Sequence, residues 1–196
     1  MKKDNIIHIN AGKYKGRKIF LPNIETTRPS KSIVRNSIFN TLQNEVTDRP
    51  FIELFAGSGS IGFEAVSRGS SKVLFCEMNR VAIQTLKKNI LSFSGENIEI
   101  ITGDTFSNIS TILSRLDKES IFYLDPPFSI RDGMEDIYKK SYKIFESIDK
   151  KYIYYIILEH LSDEVAPKNI GETSLIKSKK FGKTTISYYK FLEDEI

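Results

Sequence analysis

The chain has 196 residues, 40% of them hydrophobic and 28% charged, and a formal net charge of +4. That is enough for one complete core and too little for two ordinary domains. No apolar run approaches the roughly 20 residues of a membrane span, the single Cys76 excludes an internal disulfide, and one Cys with two His, His8 and His160, leaves no zinc or iron–sulfur ligand set. A cytoplasmic protein is expected, because Met1-Lys2-Lys3-Asp4 leads into a strand rather than into the apolar stretch of a signal peptide, and a monomer without a metal, since nothing in the sequence suggests a large exposed apolar face or a ligand set.

Charge is unevenly spread. Residues 1–35 hold nine basic side chains against Asp4 and Glu25, a net +7 that leaves −3 for everything after. Such a basic appendage on a slightly acidic body points to a polyanionic partner. Ile6–Asn10 and Gly16–Leu21 are β-prone runs joined by a loop containing Gly12, which predicts a hairpin with Lys13, Lys15 and Arg17 around its turn. Pro29 and Ser30 then open a helix whose Ile33, Val34, Ile38, Phe39 and Leu42 recur at helical spacing. These pieces form an extension over 1–44, and 45–196 forms the body.

From Pro50 onward short apolar runs alternate with longer amphipathic segments, the pattern of a parallel sheet wrapped by helices. Strands are predicted at Phe51–Phe55, Lys72–Glu77, Asn97–Thr102, Ser120–Leu124 and Tyr152–Glu159, with helices at about 60–68, 79–93, 106–117 and 133–148. Ser174–Lys179 and Thr184–Phe191 then form a hairpin rather than another crossover. The expected fold class is therefore α/β: a Rossmann-like, seven-stranded class I methyltransferase arrangement with a small N-terminal β-hairpin and helix.

Glu53 to Gly62 (ELFAGSGSIG) lies where the first core strand turns into a helix, and its glycines suit a backbone that approaches a nucleotide-type ligand. The spacing also matches a dinucleotide fingerprint, with Glu77 following 20 residues after Gly57. An acidic Glu53 before the loop repels a pyrophosphate but suits the cationic amino-acid end of S-adenosylmethionine. Glu53, Glu77 and Asp104 close or follow successive strands on one edge, so a single pocket has use for all three. Glu77 is expected at the ribose and Asp104 with Thr105 near the adenine. Phe55, Gly57, Gly59 and Met78 complete the expected cofactor-binding set. The structural alternatives are a helix-start charge for Glu77 and a helix cap for Asp104.

Asp125-Pro126-Pro127-Phe128 follows the fourth parallel strand. An exocyclic amine on a base is a poor nucleophile, because its lone pair is delocalised into the ring. Acceptors aimed at both amine hydrogens favour the geometry that frees the pair. Asp125 supplies one acceptor and the carbonyl of Pro126 a second, held rigidly by two fixed φ angles. Phe128 offers a flat face to the base, which must be unpaired or flipped to enter. His8 should face outward on the hairpin, His160 has no partner that would make it catalytic, and the aromatic run Tyr152–Leu158 is explained by strand propensity and burial.

Together these residues resemble the bacterial 16S ribosomal RNA guanine-N2 methyltransferases, the RsmD family. The likeness runs through INAGKYKGRK from Ile9, TRPS from Thr27, Val34-Arg35, IFN from Ile38, LFAGSG from Leu54, GFEAVSRG from Gly62, LDPPF from Leu124 and FGKT from Phe181. The resemblance implies S-adenosyl-L-methionine as cofactor. It also implies N2-methylguanine as product, made on 16S rRNA within the small ribosomal subunit or its assembly intermediate. Carried over, Asp125 to Phe128 hold the guanine, and Lys13, Lys15, Arg17, Arg28 and Arg35 contact RNA or shape the pocket entrance. Three positions depart from the family pattern: Glu53 for Asp, Asn36 for a Glu that commonly follows the arginine, and Asn79 for Asp. Other acceptors remain open to the same chemistry, namely adenine N6 in nucleic acid or glutamine N5 in a protein. An NAD-dependent oxidoreductase and a non-catalytic RNA-binding protein are the readings from other classes.

Overall fold

The structure, a computed structural model, describes residues 5–24, 32–127, 136–146 and 148–191. Strands β1 (Ile6–His8) and β2 (Lys18–Phe20) form the N-terminal hairpin, followed by helix α1 (Ser32–Leu42). The body then alternates as β3 (Pro50–Leu54), α2 (Ser60–Ser67), β4 (Lys72–Glu77), α3 (Arg80–Ile90), β5 (Ile98–Thr102), α4 (Thr105–Leu113), β6 (Ser120–Leu124), α5 (Ile137–Glu146) and β7 (Ile153–Leu161). The tail contributes β8 (Asn169–Ile170), β9 (Thr173–Phe181) and β10 (Thr184–Phe191).

The large sheet has the order β5-β4-β3-β6-β7-β10-β9-β8. β3 to β7 are parallel, whereas β10 runs antiparallel between β7 and β9. This is the expected parallel run closed by an antiparallel hairpin. One difference is β8, a two-residue strand against the start of β9 that is too short to leave a periodic signal. The predicted helix over 133–148 is seen as α5, with 133–135 and 147 outside the described residues. Among the described residues no helix is long and apolar enough to cross a membrane.

Because successive strand side chains point to opposite faces, the sheet is covered twice. One face packs Phe51, Phe75, Tyr123, Tyr155, Ile157 and Tyr188 against α1, α2, α3 and the hairpin. The other packs Leu54, Leu74, Phe122, Leu124 and Leu158 against Ile112 of α4 and Ile144 of α5. Ile9 and Ile19 of the hairpin and Val34, Ile38, Phe39 and Leu42 of α1 are buried in the first of these clusters, so the extension and the body share one core.

Glu64 of α2, fully buried, ties the extension down. Its carboxylate accepts the N–H groups of Asn10 at 2.8 Å and Ala11 at 3.1 Å, and Arg68 Nε at 3.0 Å. One turn on, Ser67 receives the Tyr14 N–H at 2.9 Å on its hydroxyl and the Lys13 N–H at 2.7 Å on its carbonyl. Gly12 sits against this turn with a φ of 84°, and a Cβ there would lie 1.9 Å from the Ser67 carbonyl oxygen. Gly12→Ala is therefore expected to detach the hairpin: proteolysis between residues 5 and 24 should accelerate and the melting temperature fall by several degrees, as read by limited digestion and calorimetry.

Candidate active site

Loops that leave the carboxyl ends of β3, β4, β5 and β6 meet along one edge of the sheet. At the end of β3 the backbone turns through Phe55 at φ 62°, Gly57 at 54° and Gly59 at 73°. A left-handed conformation is natural for glycine and strained for phenylalanine. Phe55 is held in it by the strand behind and by an edge-on contact with Phe106 at 5.7 Å. Gly62, the third loop glycine, allows close packing: a Cβ would meet Phe75 at 2.4 Å and the Glu53 carboxylate at 2.8 Å.

Glu53 lies beneath the loop rather than on its surface. It is 3% exposed, and its Oε2 accepts the Gly62 N–H at 2.7 Å. Burial pushes its carboxyl up to about 8, against the opposing pull of the Gly62 and Ile61 amides. Glu77 is better placed for a ligand, being half-buried at the end of β4. It also orders the loops, because Oε2 accepts the Gly57 N–H at 2.7 Å and Oε1 accepts those of Met78 and Asn79 at 2.9 and 2.7 Å. Asp104 is the N-cap of α4, accepting the Ser107 N–H at 2.9 Å, and Thr105 is buried with its hydroxyl on Cys76 Sγ at 3.6 Å. The structural alternatives considered for Glu77 and Asp104 thus describe bonds that both side chains make. Asn79, in place of the family's Asp, caps α3 through the Val81 and Ala82 amides.

These pieces fit S-adenosylmethionine on physical grounds. The N-terminal ends of α2, α3 and α4 open on the same edge and favour a carboxylate. Met78 stands 67% exposed there, an apolar face of the kind an adenine ring covers. Two acidic side chains flank it.

β6 delivers Asp125, half-buried, with Pro126 buried and Pro127 half-buried; Phe128 lies outside the described residues. Behind this loop a polar row crosses the α1 side of the sheet. Glu53 of β3 pairs in register with Tyr123 of β6, and the buried Tyr123 hydroxyl donates to Glu159 Oε2 of β7 at 2.5 Å. Burial raises the Glu159 carboxyl above its ordinary value. Tyr123 is held well above its own by burial and by the charges of Glu159, Asp125 and Glu53. The sequence reading took Glu159 as an ordinary strand end. Its only signal was a carboxylate closing a run of apolar β residues. His160 is buried, with Nε2 2.9 Å from Ser187 Oγ, which is a structural setting, and His8 is exposed on the hairpin.

Of the basic residues expected to contact RNA, Lys13, Lys15 and Arg17 do not gather at this edge. Lys13 Nζ pairs with Glu96 at 2.7 Å, just before the start of β5, and the hairpin turn rests on the end of α2. Both features lie at the amino edge of the sheet, about 17 Å along a five-residue strand from the loops. Arg17 lies over the ring of Tyr14, 4.4 Å from its centroid, and Lys15 is exposed on the same turn. Arg35, expected to contact RNA or shape the pocket entrance, is placed by the structure as a buried tie between α1 and the hairpin. It is 3% exposed, and its guanidinium donates to the His8 carbonyl at 2.9 Å and to Asn10 Oδ1 at 3.1 Å. Asn36 supports this through Asn10 Nδ2 at 2.7 Å, an amide chain in place of a carboxylate. Arg28 lies outside the described residues.

The raised carboxyl of Glu53 fixes a pH dependence. Its stabilising contribution is present below the ordinary value of 4.5 and is lost as pH rises through about 8. Denaturation measured across that window should show this downward slope, and Glu53→Gln should remove it.

Among known proteins, residues 7–190 match the family model described as Conserved hypothetical protein 95. A relative in Buchnera aphidicola (subsp. Acyrthosiphon pisum), named ribosomal RNA small subunit methyltransferase D, is 32% identical over 171 residues, covering 86% of each chain. The protein of that name in Escherichia coli K12 is 32% identical over 122 residues, 62% of this chain and 60% of its own. In structure, Escherichia coli yhhF, described as a methyltransferase, superposes with a TM-score of 0.75 at 27% identity, covering 97% of this chain and all of that one. SMU.776, also described as a methyltransferase and complexed with SAH, shares the fold with a TM-score of 0.69 at 11% identity, over 97% of this chain and 56% of its own. The match over nearly the whole chain, on a fold already built from its own residues, places the protein in the Conserved hypothetical protein 95 family, the RsmD family that its sequence resembles.

Proposed function

We propose that this chain transfers a methyl group from S-adenosylmethionine to the exocyclic N2 of a guanine in small-subunit ribosomal RNA. The observation that carries this is the Asp125-Pro126-Pro127 loop, placed by β6 on the same edge as the glycine loop and the Glu77 strand end. The relatives' names supply the RNA, and SAH bound to SMU.776 supports the cofactor.

S-adenosylmethionine supplies an electrophilic methyl on a sulfonium. The chain does the rest by positioning and polarisation. Gly57 leaves bare backbone for the cofactor while Gly59 lets the loop pack closely on Leu86 and Phe63; Phe55 and Met78 cover the cofactor's apolar parts, Glu77 takes the ribose hydroxyls, and Asp104 with Thr105 borders the adenine. Glu53 acts from beneath by ordering the start of α2. On the acceptor side the Asp125 carboxylate and the Pro126 carbonyl accept the two amine hydrogens, and Phe128 stacks on the base. The amine becomes acidic as it is methylated, and its proton passes to Asp125 or to water. An oxidoreductase reading leaves Asp125 and the closing hairpin without a role.

The test is transfer of isotopic label to small subunits lacking the modification, with naked 16S RNA in parallel and nucleosides resolved by mass spectrometry. N2-methylguanosine is the expected product. Asp125→Ala should lower kcat by on the order of 10²-fold or more while SAH still binds. Label in N6-methyladenosine overturns the acceptor, and no label in either RNA overturns the RNA reading.

Cofactor binding should also be linked to protons. A cation above the buried Glu53 favours its ionised form, so binding releases a proton and affinity rises as pH approaches about 8. Calorimetry in buffers of different ionisation enthalpy should detect the release, and Glu53→Gln should abolish it.

A further inference from the structure

The tail hairpin carries a charge pattern that the reaction as described does not use. Residues 173–191 contain five lysines and no acidic residue. Strand direction decides where these charges sit. β10 pairs antiparallel with β7 so that Thr184 faces Leu161, the last residue of β7, and Phe181 of β9 faces Thr184. β7 is parallel to β6. The turn at Phe181-Gly182-Lys183 therefore lies on the carboxyl edge, the edge that holds Asp125, two to three strand spacings across the sheet, about 10 to 14 Å, and about 10 Å further along it. Lys180 and Lys183 are exposed there; Lys179 is half-buried and donates to Ser37 Oγ of α1 at 3.2 Å.

The surface is continuous with the site. Lys179 pairs with Ile186 and Ile186 with Glu159, and Phe181 lies two residues on from Lys179, so these side chains share the sheet face on which the Tyr123 to Glu159 row ends. From Asp125 the edge thus leads through Glu159 to three cations. Beyond β10, β9 is covered at its start by β8 at Thr173 and Ser174 and by the Lys168 carbonyl, which accepts the Leu175 N–H at 2.8 Å; among the described residues the strand from Ile176 to Phe181 is an open edge. Lysines on an open strand can serve merely to block pairing with another chain. That purpose does not call for Lys183, which lies in the turn off the strand, nor for crowding the cations at one end. The acidic side chains nearby, Asp163 and Glu164, belong to the neighbouring turn after β7.

Resting on the rRNA reading above, we infer that the β9–β10 turn, through Lys179, Lys180 and Lys183, grips the RNA backbone beside the target base. It is the phosphate contact on the catalytic edge, in contrast to the Lys13 and Lys15 turn at the opposite edge. The occupant is RNA, because the surface offers clustered point charges suited to successive phosphates.

Two triple variants with equal charge loss test it: Lys179→Ala/Lys180→Ala/Lys183→Ala at the carboxyl edge, and Lys118→Ala/Lys150→Ala/Lys151→Ala at the amino edge. Filter binding to naked 16S RNA and to unmodified small subunits is followed over a salt series, beside KM, kcat, SAH affinity and the melting temperature. The tail variant should lose affinity and raise KM about tenfold or more, with kcat and SAH binding unchanged. Its log–log salt slope should flatten by roughly 0.7 to 0.9 for each phosphate released. The amino-edge variant should stay within about twofold of the parent protein. Equal affinity for the tail variant and the parent overturns the proposal, as does an equal loss in both variants. A loss seen with subunits but not with naked RNA overturns it in favour of a protein contact. Parent protein that binds RNA but methylates neither substrate would overturn the rRNA reading, while its binding series still judges the lysines.

Discussion

A single carboxyl group, that of Glu53, sits under the start of α2 and sets the shape of the glycine loop. A helix begins with N–H groups that have no partner inside the helix, and here one of them, on Gly62, is satisfied from below by a buried side chain on β3. Because the acceptor comes from beneath, the loop above can keep its glycines bare and its Phe55 in a left-handed conformation. Gly62 must remain without a side chain for the same reason, since any Cβ would strike the carboxylate and Phe75 together. Glu77 repeats the device one strand over, reaching back to Gly57. The glycine loop is thus held by two side chains from two strands, with Phe55 and Gly57 half-buried and Gly59 packed against Leu86 and Phe63.

α2 is held at its other end as well. Glu64 and Ser67 fasten the N-terminal hairpin, so one helix links the cofactor loop to the appendage. The appendage has no separate core and is seated by bonds to a buried carboxylate that α2 provides. A buried charge of this sort is tolerated because its acceptor sites are filled by two amides and the Arg68 guanidinium. Arg35, buried nearby, is paired with backbone and amide oxygens instead.

Much of this was legible in the chain itself. The strands from Lys72 to Glu77, Ser120 to Leu124 and Thr184 to Phe191 match to the residue and the other predicted strands to within two, because buried strands are continuous apolar runs bounded by turn chemistry. The closing hairpin was legible from its spacing. What escaped depends on packing between distant segments. Glu64 is the one charged residue of α2 and nothing in its local sequence marks its partners, yet it is fully buried. Arg35 was expected at the RNA or the pocket entrance, and α1 turns it inward onto the hairpin. The basic turn at Lys13 was clear as a turn, but its place at the far edge follows only from where α2 ends, and the same holds in reverse for the lysines of β9.

The insertion of β10 between β7 and β9 also constrains how the molecule is made. β7 pairs on one side with β6, while its other edge is completed by a strand more than 20 residues further along. During synthesis the parallel half is made first and waits with a nine-residue edge open. A chain stopped before Thr184 would carry the cofactor loop and Asp125 intact and yet present that edge to any other strand it met. Aggregation rather than partial activity is the natural fate of such a fragment, so the last strand acts as the quality check on the first five.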